Sequence, residues 1–333
     1  MNMSDANKWK SKLLSSSVPL EYEVARTLVK HRFAVNADYS YARNDEGIAK
    51  DFSVDLRATS YLPTRGDNIS GQVDLLVECK HRHRGNKWLF FPDPNHGDMS
   101  PFTLGCTIRA VDSFTPLFLP ANCTVSFDQE AQMCIKGVEV DTANGNVTDA
   151  EIRRGMAQLQ YALPGLLTDH IGFTVNHSDD EKYPYFFCPI LVTTSELLVA
   201  NTDITIAAVE GASSLNDLGT SVPYLVTYLD CNPDFERHRQ ATCTHLKQLA
   251  RHPAIRNLDA LRKAAGEYDF LLPSIQCSQL GDTGSSRYPN YFCQTVVCSL
   301  EHFSQLLVEI KAVVSSAIRE RKKTKPTRKT ARG

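Results

Sequence analysis

Residues 73–80 read Val73-Asp74-Leu75-Leu76-Val77-Glu78-Cys79-Lys80, and residues 52–59 read Phe52-Ser53-Val54-Asp55-Leu56-Arg57-Ala58-Thr59. Successive side chains of a strand point to opposite faces, so period-two patterning marks a strand. In the first stretch Val73, Leu75, Val77 and Cys79 share one face, and Asp74, Leu76, Glu78 and Lys80 share the other. In the second, Phe52, Val54, Leu56 and Ala58 oppose Ser53, Asp55, Arg57 and Thr59. Pro63, Gly66, Asn68 and Gly71 punctuate the link between them. A hairpin of these strands would put Asp55 on one polar face with Glu78 and Lys80.

The flanking sequence extends the pattern. Ser17 to His31 reads as a helix, with Ser17 placed to cap it, Pro19 in its first turn, and Glu21 and Glu23 at the positive end of its dipole. Leu20, Val24, Leu28 and Val29 form its apolar stripe. Phe33 to Tyr41 follows as a strand. Residues 88–147 are irregular and strand-like, with Trp88–Phe91 and Cys134–Val140 as strand candidates. Thr148 and Glu151 make a capping box for a helix whose inward stripe is Ile152, Met156, Leu159, Leu163 and Leu166. Tyr185–Thr194 reads as an apolar strand. Beyond residue 212 come strands near Tyr224–Leu229 and Tyr291–Val297 and helical segments across 235–266. A final helix repeats Phe303, Leu306, Leu307, Ile310, Val313, Val314 and Ile318 with period 3.6. The run from Tyr183 to Val192 is similar to that from Tyr288 to Val297, which predicts two comparable buried strands. The order predicts an α/β fold with a mixed central sheet flanked by helices. Residues 1–212 form its core with an insertion at about 83–147, residues 213–318 a C-terminal α/β extension, and residues 319–333 a basic disordered tail.

Asp55, Glu78 and Lys80 are the residue types that phosphodiester hydrolysis requires. Carboxylates gather Mg²⁺ (or Mn²⁺), which lowers the pKa of attached water. A neighbouring lysine orients that water or neutralises developing charge. The Glu-x-Lys spacing sets carboxylate and ammonium side by side on one strand face. Cys79 between them turns its thiol into the core, leaving its carbonyl oxygen as a further candidate metal ligand. The three residues alone are a weak signal, since a half-exposed hairpin with solvated charges carries the same pattern.

Helix, strand, Asp-bearing strand and a strand ending Val77-Glu78-Cys79-Lys80 resemble the PD-(D/E)XK nuclease superfamily, most closely Mrr-type restriction endonucleases and Holliday-junction resolvase-like nucleases. The run Leu20 to Val29, ending in Phe33-Ala34-Val35, is similar to the opening helix of that superfamily, and Glu21 matches its glutamate. The resemblance covers about residues 17–82 and, more loosely, 148–196. Arg32 stands where a turn glycine is common, and residues 83–147 are a long insertion. The resemblance implies a restriction-endonuclease-like fold and Mg²⁺-dependent endonucleolytic hydrolysis of DNA, in restriction or phage defence. It assigns metal binding to Asp55, Glu78 and Cys79, and catalysis to Glu21, Asp55, Glu78 and Lys80. Partners would be DNA, a second copy of the chain or a defence-complex partner. An inactive module that keeps the fold to bind nucleic acid or protein, and an RNA nuclease, are the other readings. Gln158 and Tyr161 resemble the Gln/Tyr helix of RecB-like nucleases at a spacing one residue short, which favours plain helix-surface residues. Asp74 reads as a surface charge or an outer acid.

Composition agrees with a globular protein: of 333 residues, 42% are hydrophobic and 22% charged. No apolar run is long enough to span a bilayer, and residues 1–20 lack the apolar stretch of a signal peptide, so a cytoplasmic protein without membrane contact is expected. Ten scattered cysteines without a CxxC pair read as reduced thiols. Cys231, His238, Cys243 and His245 match no common zinc spacing. The net charge of −2 conceals a basic end, with eight Lys or Arg against one Glu from Arg319 onward. Arg321, Lys322 and Lys323 there, and Arg82, Arg84 and Lys87 beyond Lys80, are the candidate phosphate contacts. No Walker A, dinucleotide or HExxH pattern occurs.

Overall fold

The computed structural model describes residues 5–45, 48–63, 70–95, 97–102, 107–111, 114–115, 131–177, 183–269, 272–282 and 290–323. Its strands are β1 (Ala34–Asp45), β2 (Ile48–Pro63), β3 (Ser70–Lys80), β4 (Asn86–Pro92), β5 (Arg109–Val111), β6 (Gln132–Asp141), β7 (Val147–Thr148), β8 (Tyr185–Thr193), β9 (Glu196–Ala200), β10 (Gly219–Ser221), β11 (Tyr224–Tyr228) and β12 (Gln294–Ser299). Its helices are α1 (Asp5–Ser15), α2 (Val18–Lys30), α3 (Ala150–Asn176), α4 (Ile206–Gly211), α5 (Pro233–Cys243), α6 (Leu246–Leu249), α7 (Pro253–Ala264), α8 (Pro273–Leu280), α9 (Asn290–Cys293) and α10 (Phe303–Lys323).

The strands form one mixed sheet in the order β1-β2-β3-β8-β12-β11-β6-β4-β9-β10, with β5 beside β8 and β7 beside β6. β1, β2 and β3 are an antiparallel meander, while β3, β8 and β12 run parallel. Parallel strands carry helices on both faces, so their residues are apolar on both. β8 fits this description, being buried at every position. The two similar Tyr-Pro stretches become neighbours here, with Val296 paired to Ile190 and Val297 to Leu191.

The sheet separates two apolar layers. On one face Leu20, Val24 and Leu28 of α2 pack with Phe303, Leu307 and Ile310 of α10 against Val73, Leu75, Val77 and Cys79. On the other, Ile152, Met156, Leu159 and Leu163 of α3 pack with Phe235, Leu246 and Ile255 against Leu76, Phe187 and Leu191. The mixed α/β fold flanked by helices is therefore as expected. The boundary at 212 does not divide the sheet, because β12 inserts between β8 and β11. The supposed insertion likewise supplies β4 to β7.

Several local expectations are corrected. Ser17 takes φ 62° and makes no side-chain cap; its Oγ instead accepts the His81 N–H at 3.4 Å. α3 is capped from Asp149 without a side-chain bond and runs on to Asn176. Residues 290–293 are helical, and the last strand starts at Gln294. Residues 319–323 continue α10 rather than starting a disordered tail, and residues 324–333 lie outside the described residues.

The alternation of β2 also breaks. Leu56 and Ala58 lie in the α2–α10 layer, but Val54 lies in the α3 layer. Its partner strand switches too, since Val35 packs in the first layer and Tyr39 in the second. The step falls between the pairs Ala37–Leu56 and Tyr39–Val54, opposite Asp38, whose φ is 57°. Aspartate tolerates that left-handed conformation better than most residues, and one such residue interrupts the pleat.

Candidate active site

Asp55 sits at that step. Leu56–Val77 is the last pair of the β2–β3 ladder on this side, so the strands part beside Asp55 and Glu78. The Asp55 carboxylate turns into the opening, where Oδ2 accepts the Cys79 N–H at 2.7 Å. The Asp55 N–H points to Glu78 Oε2 at 3.4 Å. Lys80, two residues along the same face, donates from Nζ to Glu78 Oε1 at 2.8 Å. A second contact, at 3.3 Å, goes to Gln158 Oε1 on α3, and Gln158 Nε2 donates to the Ser53 carbonyl at 3.2 Å. Gln158 therefore ties the helix to both strands.

Gly155 explains how α3 comes so close. A Cβ there would lie 2.7 Å from Leu191 Cδ1 and 3.3 Å from Lys80 Cε. The missing side chain leaves room for the aliphatic stem of Lys80 beneath the helix.

The electrostatics single out this end of β3. Glu78 is 1% exposed, and burial together with the Asp55 charge pushes its carboxyl up to about 7, against the opposing pull of Lys80. Burial also raises Asp55, despite the Cys79 N–H and Lys80. Glu21 on α2 is pushed up to about 6 by partial burial, then by Asp55 and Asp38. The Cys79 thiol lies on the opposite face, buried and raised well above the usual range.

Asp74, four residues earlier on the same face, is the contrast. Burial would raise it, yet it is held below its ordinary value by His170, Arg57 and Thr59. The surface-charge reading of Asp74 is thereby corrected: it is 0% exposed and held by Arg57, Thr59, Gln72 and His170. One buried carboxylate is satisfied by donors, whereas the other has one lysine and a long backbone contact. Unrelieved buried charge of the second kind is typical of functional sites.

The sequence-derived set thus sorts as follows. Glu21, Asp55, Glu78 and Lys80 interact across α2, β2 and β3. The group of Cys79 that meets Asp55 is its backbone N–H. Arg82 is engaged by buried Glu139 at 2.5 and 2.8 Å, and Glu139 also accepts from Asn86 and Trp88 Nε1. Lys87 pairs with Glu196 at 2.8 Å and also bonds Asn216. Arg84 is exposed and forms no ion pair among the described residues. Arg321, Lys322 and Lys323 end α10, and their side chains lie outside the described residues. Asp38, Gly155 and Gln158 belong to the site although the hairpin reading leaves them out. Only Gln158 carried a signal, its place on the helix, whereas Tyr161 bonds Asp234 at 2.7 Å away from the carboxylates.

Carboxylate oxygens suit a hard cation, and Mg²⁺ keeps several waters while taking one or two carboxylates. Asp55 Oδ1 and both Glu21 oxygens accept no hydrogen bond among the described residues, so ligand capacity remains beside Glu78. No group of three or more His, Cys, Asp or Glu that could hold a metal ion occurs among the described residues. The set therefore fits a mostly hydrated ion and not an all-protein cage. His238 meets the Tyr161 carbonyl and Cys243 meets Thr168, apart from any zinc centre.

Comparison with protein-family models, with curated proteins and with solved structures finds no match for this chain. Among the described residues no helix is long and apolar enough to cross a membrane.

Proposed function

We propose that this chain is a Mg²⁺- or Mn²⁺-dependent endodeoxyribonuclease with a restriction-endonuclease-like core. The observation that carries this reading is the surplus of carboxylate over cation where β2 and β3 part: Glu21, Asp55 and Glu78 share the ammonium of Lys80, and Asp38 adds its charge to Glu21 and Asp55. A bound divalent ion supplies charge neutralisation for the phosphate and a water of lowered pKa. Asp55 and Glu78 would hold it. Lys80, oriented by Glu78 and Gln158, is placed to position the attacking water and to offset charge that grows on the phosphate. Glu21, pushed up to about 6, is a base able to take a proton from that water near neutral pH. The preference for DNA rests on the likeness of Val77-Glu78-Cys79-Lys80 to Mrr-type enzymes.

Cleavage by the purified chain tests the proposal. Wild-type protein should nick single-stranded, duplex or branched DNA with Mg²⁺ or Mn²⁺ and not with EDTA. Asp55→Asn, Glu78→Gln and Lys80→Met should each lose that activity while keeping the wild-type circular-dichroism spectrum. Absence of metal-dependent cleavage on all three substrates would leave a binding module in its place, and a better RNA substrate would correct the substrate class.

A further inference from the structure

A cavity of about 650 Å³ lies on the α3 side of the sheet, toward the other end of β3. Its lining includes Arg57, Tyr61, Gln72, Asp169, His170 and Phe173. Tyr61 and Gln72 are register partners, and Gln72 pairs in turn with Tyr185, so one row across β2, β3 and β8 forms the sheet side. The helix side comes from Asp169 and Phe173, one turn apart on α3.

The polar groups at the cavity divide into two kinds. Buried Asp74 fixes its base: Arg57 Nη2 reaches Asp74 at 3.2 Å, Gln72 Nε2 at 3.0 Å and His170 Nε2 at 2.7 Å. The His170 ring is stacked on Tyr185 with centroids 3.5 Å apart, which holds it in place. These contacts leave specific groups over. Arg57 Nη1, Gln72 Oε1 and the exposed Asp169 carboxylate enter no hydrogen bond or ion pair among the described residues. Tyr61 is 60% and Phe173 52% exposed, and His177 stacks on Phe173 with centroids 3.6 Å apart, which leaves that ring one face.

Exposed rings beside oriented polar groups suit a flat heteroaromatic ligand. The leftover groups are two acceptors, from Asp169 and Gln72, and two donor nitrogens of Arg57, Nη1 and the buried Nε, which also has no hydrogen-bond partner. Guanine offers the complement, with N1–H and N2–H₂ as donors and O6 and N7 as acceptors that arginine recognises. Adenine would turn its N1 acceptor toward a carboxylate. We infer that this cavity binds a guanine base of a nucleic acid, stacked on Phe173 and read by Asp169 and Arg57. The inference deepens the nuclease reading, on which it rests for the polymeric substrate. Six residues of β3 separate Gln72 from Glu78, about 20 Å at strand rise. That distance corresponds to about six nucleotides of a duplex strand, so the cavity would read sequence away from the cut.

Binding of free mononucleotides tests this without requiring cleavage. By saturation-transfer NMR at millimolar concentrations, GMP should bind about tenfold more tightly than AMP or CMP. Asp169→Asn should abolish the preference, and Phe173→Ala should weaken GMP about tenfold or more. Both side chains are exposed, so both variants should fold, as circular dichroism checks. Asp55→Asn should leave GMP binding unchanged. Equal binding of the nucleotides, no binding of GMP, or an unaltered preference in Asp169→Asn would overturn the inference. GMP binding by a protein that cleaves nothing would remove the nuclease reading and keep the guanine cavity.

Discussion

Replacing Glu78 by Gln should stabilise the metal-free protein at pH 8 and do little at pH 5. The carboxyl is 1% exposed and pushed up from 4.5 to about 7 by burial and by Asp55. The folded state therefore holds the proton more tightly than the unfolded chain does. Stability from this group is fully present below the unfolded value and is lost as pH rises through the folded one, a window of roughly 4.5 to 7. At about 1.4 kcal/mol per pH unit the cost of the ionised form approaches 3 kcal/mol at pH 8. Loss of the Lys80 contact in the variant offsets part of it, leaving on the order of 2 kcal/mol. For a chain of 333 residues that corresponds to a rise in Tm of about 3 °C. Thermal melts in EDTA at pH 5, 6, 7 and 8 measure the difference between variant and wild type. The difference should grow with pH. A constant difference, or a variant less stable than wild type at pH 8, would show that Lys80 and the Asp55 N–H already satisfy Glu78, and the electrostatic argument would fail.

Three further outcomes are expected. Glu139→Ala removes the acceptor of Arg82, Asn86 and buried Trp88 Nε1 and should cost about 3–5 kcal/mol in denaturant unfolding. Gly155→Ala forces a methyl against Leu191 and Lys80; overpacking of about 1–3 kcal/mol should outweigh the gain in helix propensity of about 1 kcal/mol, lowering the urea midpoint. Truncation after Lys323 removes four Lys or Arg, and with about 0.9 per phosphate contact the slope of log K against log salt for duplex DNA should fall by about 2 to 4 at unchanged Tm.

The elements that decide the fold were legible wherever local pattern and tertiary environment agree. The hairpin of β2 and β3 follows from alternation, the meeting of Asp55 with Glu78 and Lys80 from that hairpin, and α2 and α10 from their apolar stripes. The parallel placement of β12 between β8 and β11 was hidden, because a wholly buried strand carries no facing information. The face switch at Asp38 was equally invisible, since one left-handed residue leaves no compositional trace. Arg82 and Lys87 read as free basic side chains because Glu139 and Glu196, their partners, are distant in sequence. Asp74 and Glu78 look alike in the sequence, and only the arrival of His170 and Arg57 at one of them separates structural acid from candidate ligand.

The central claim, that Asp55 and Glu78 form a cation site, is tested most directly by calorimetric titration of the metal-free protein with Mn²⁺ at pH 7.5. One saturable site is expected in wild type, with binding lost in Asp55→Asn and in Glu78→Gln and retained in Asp74→Asn. No heat of binding in the wild type, or equal binding in all the variants, would contradict it.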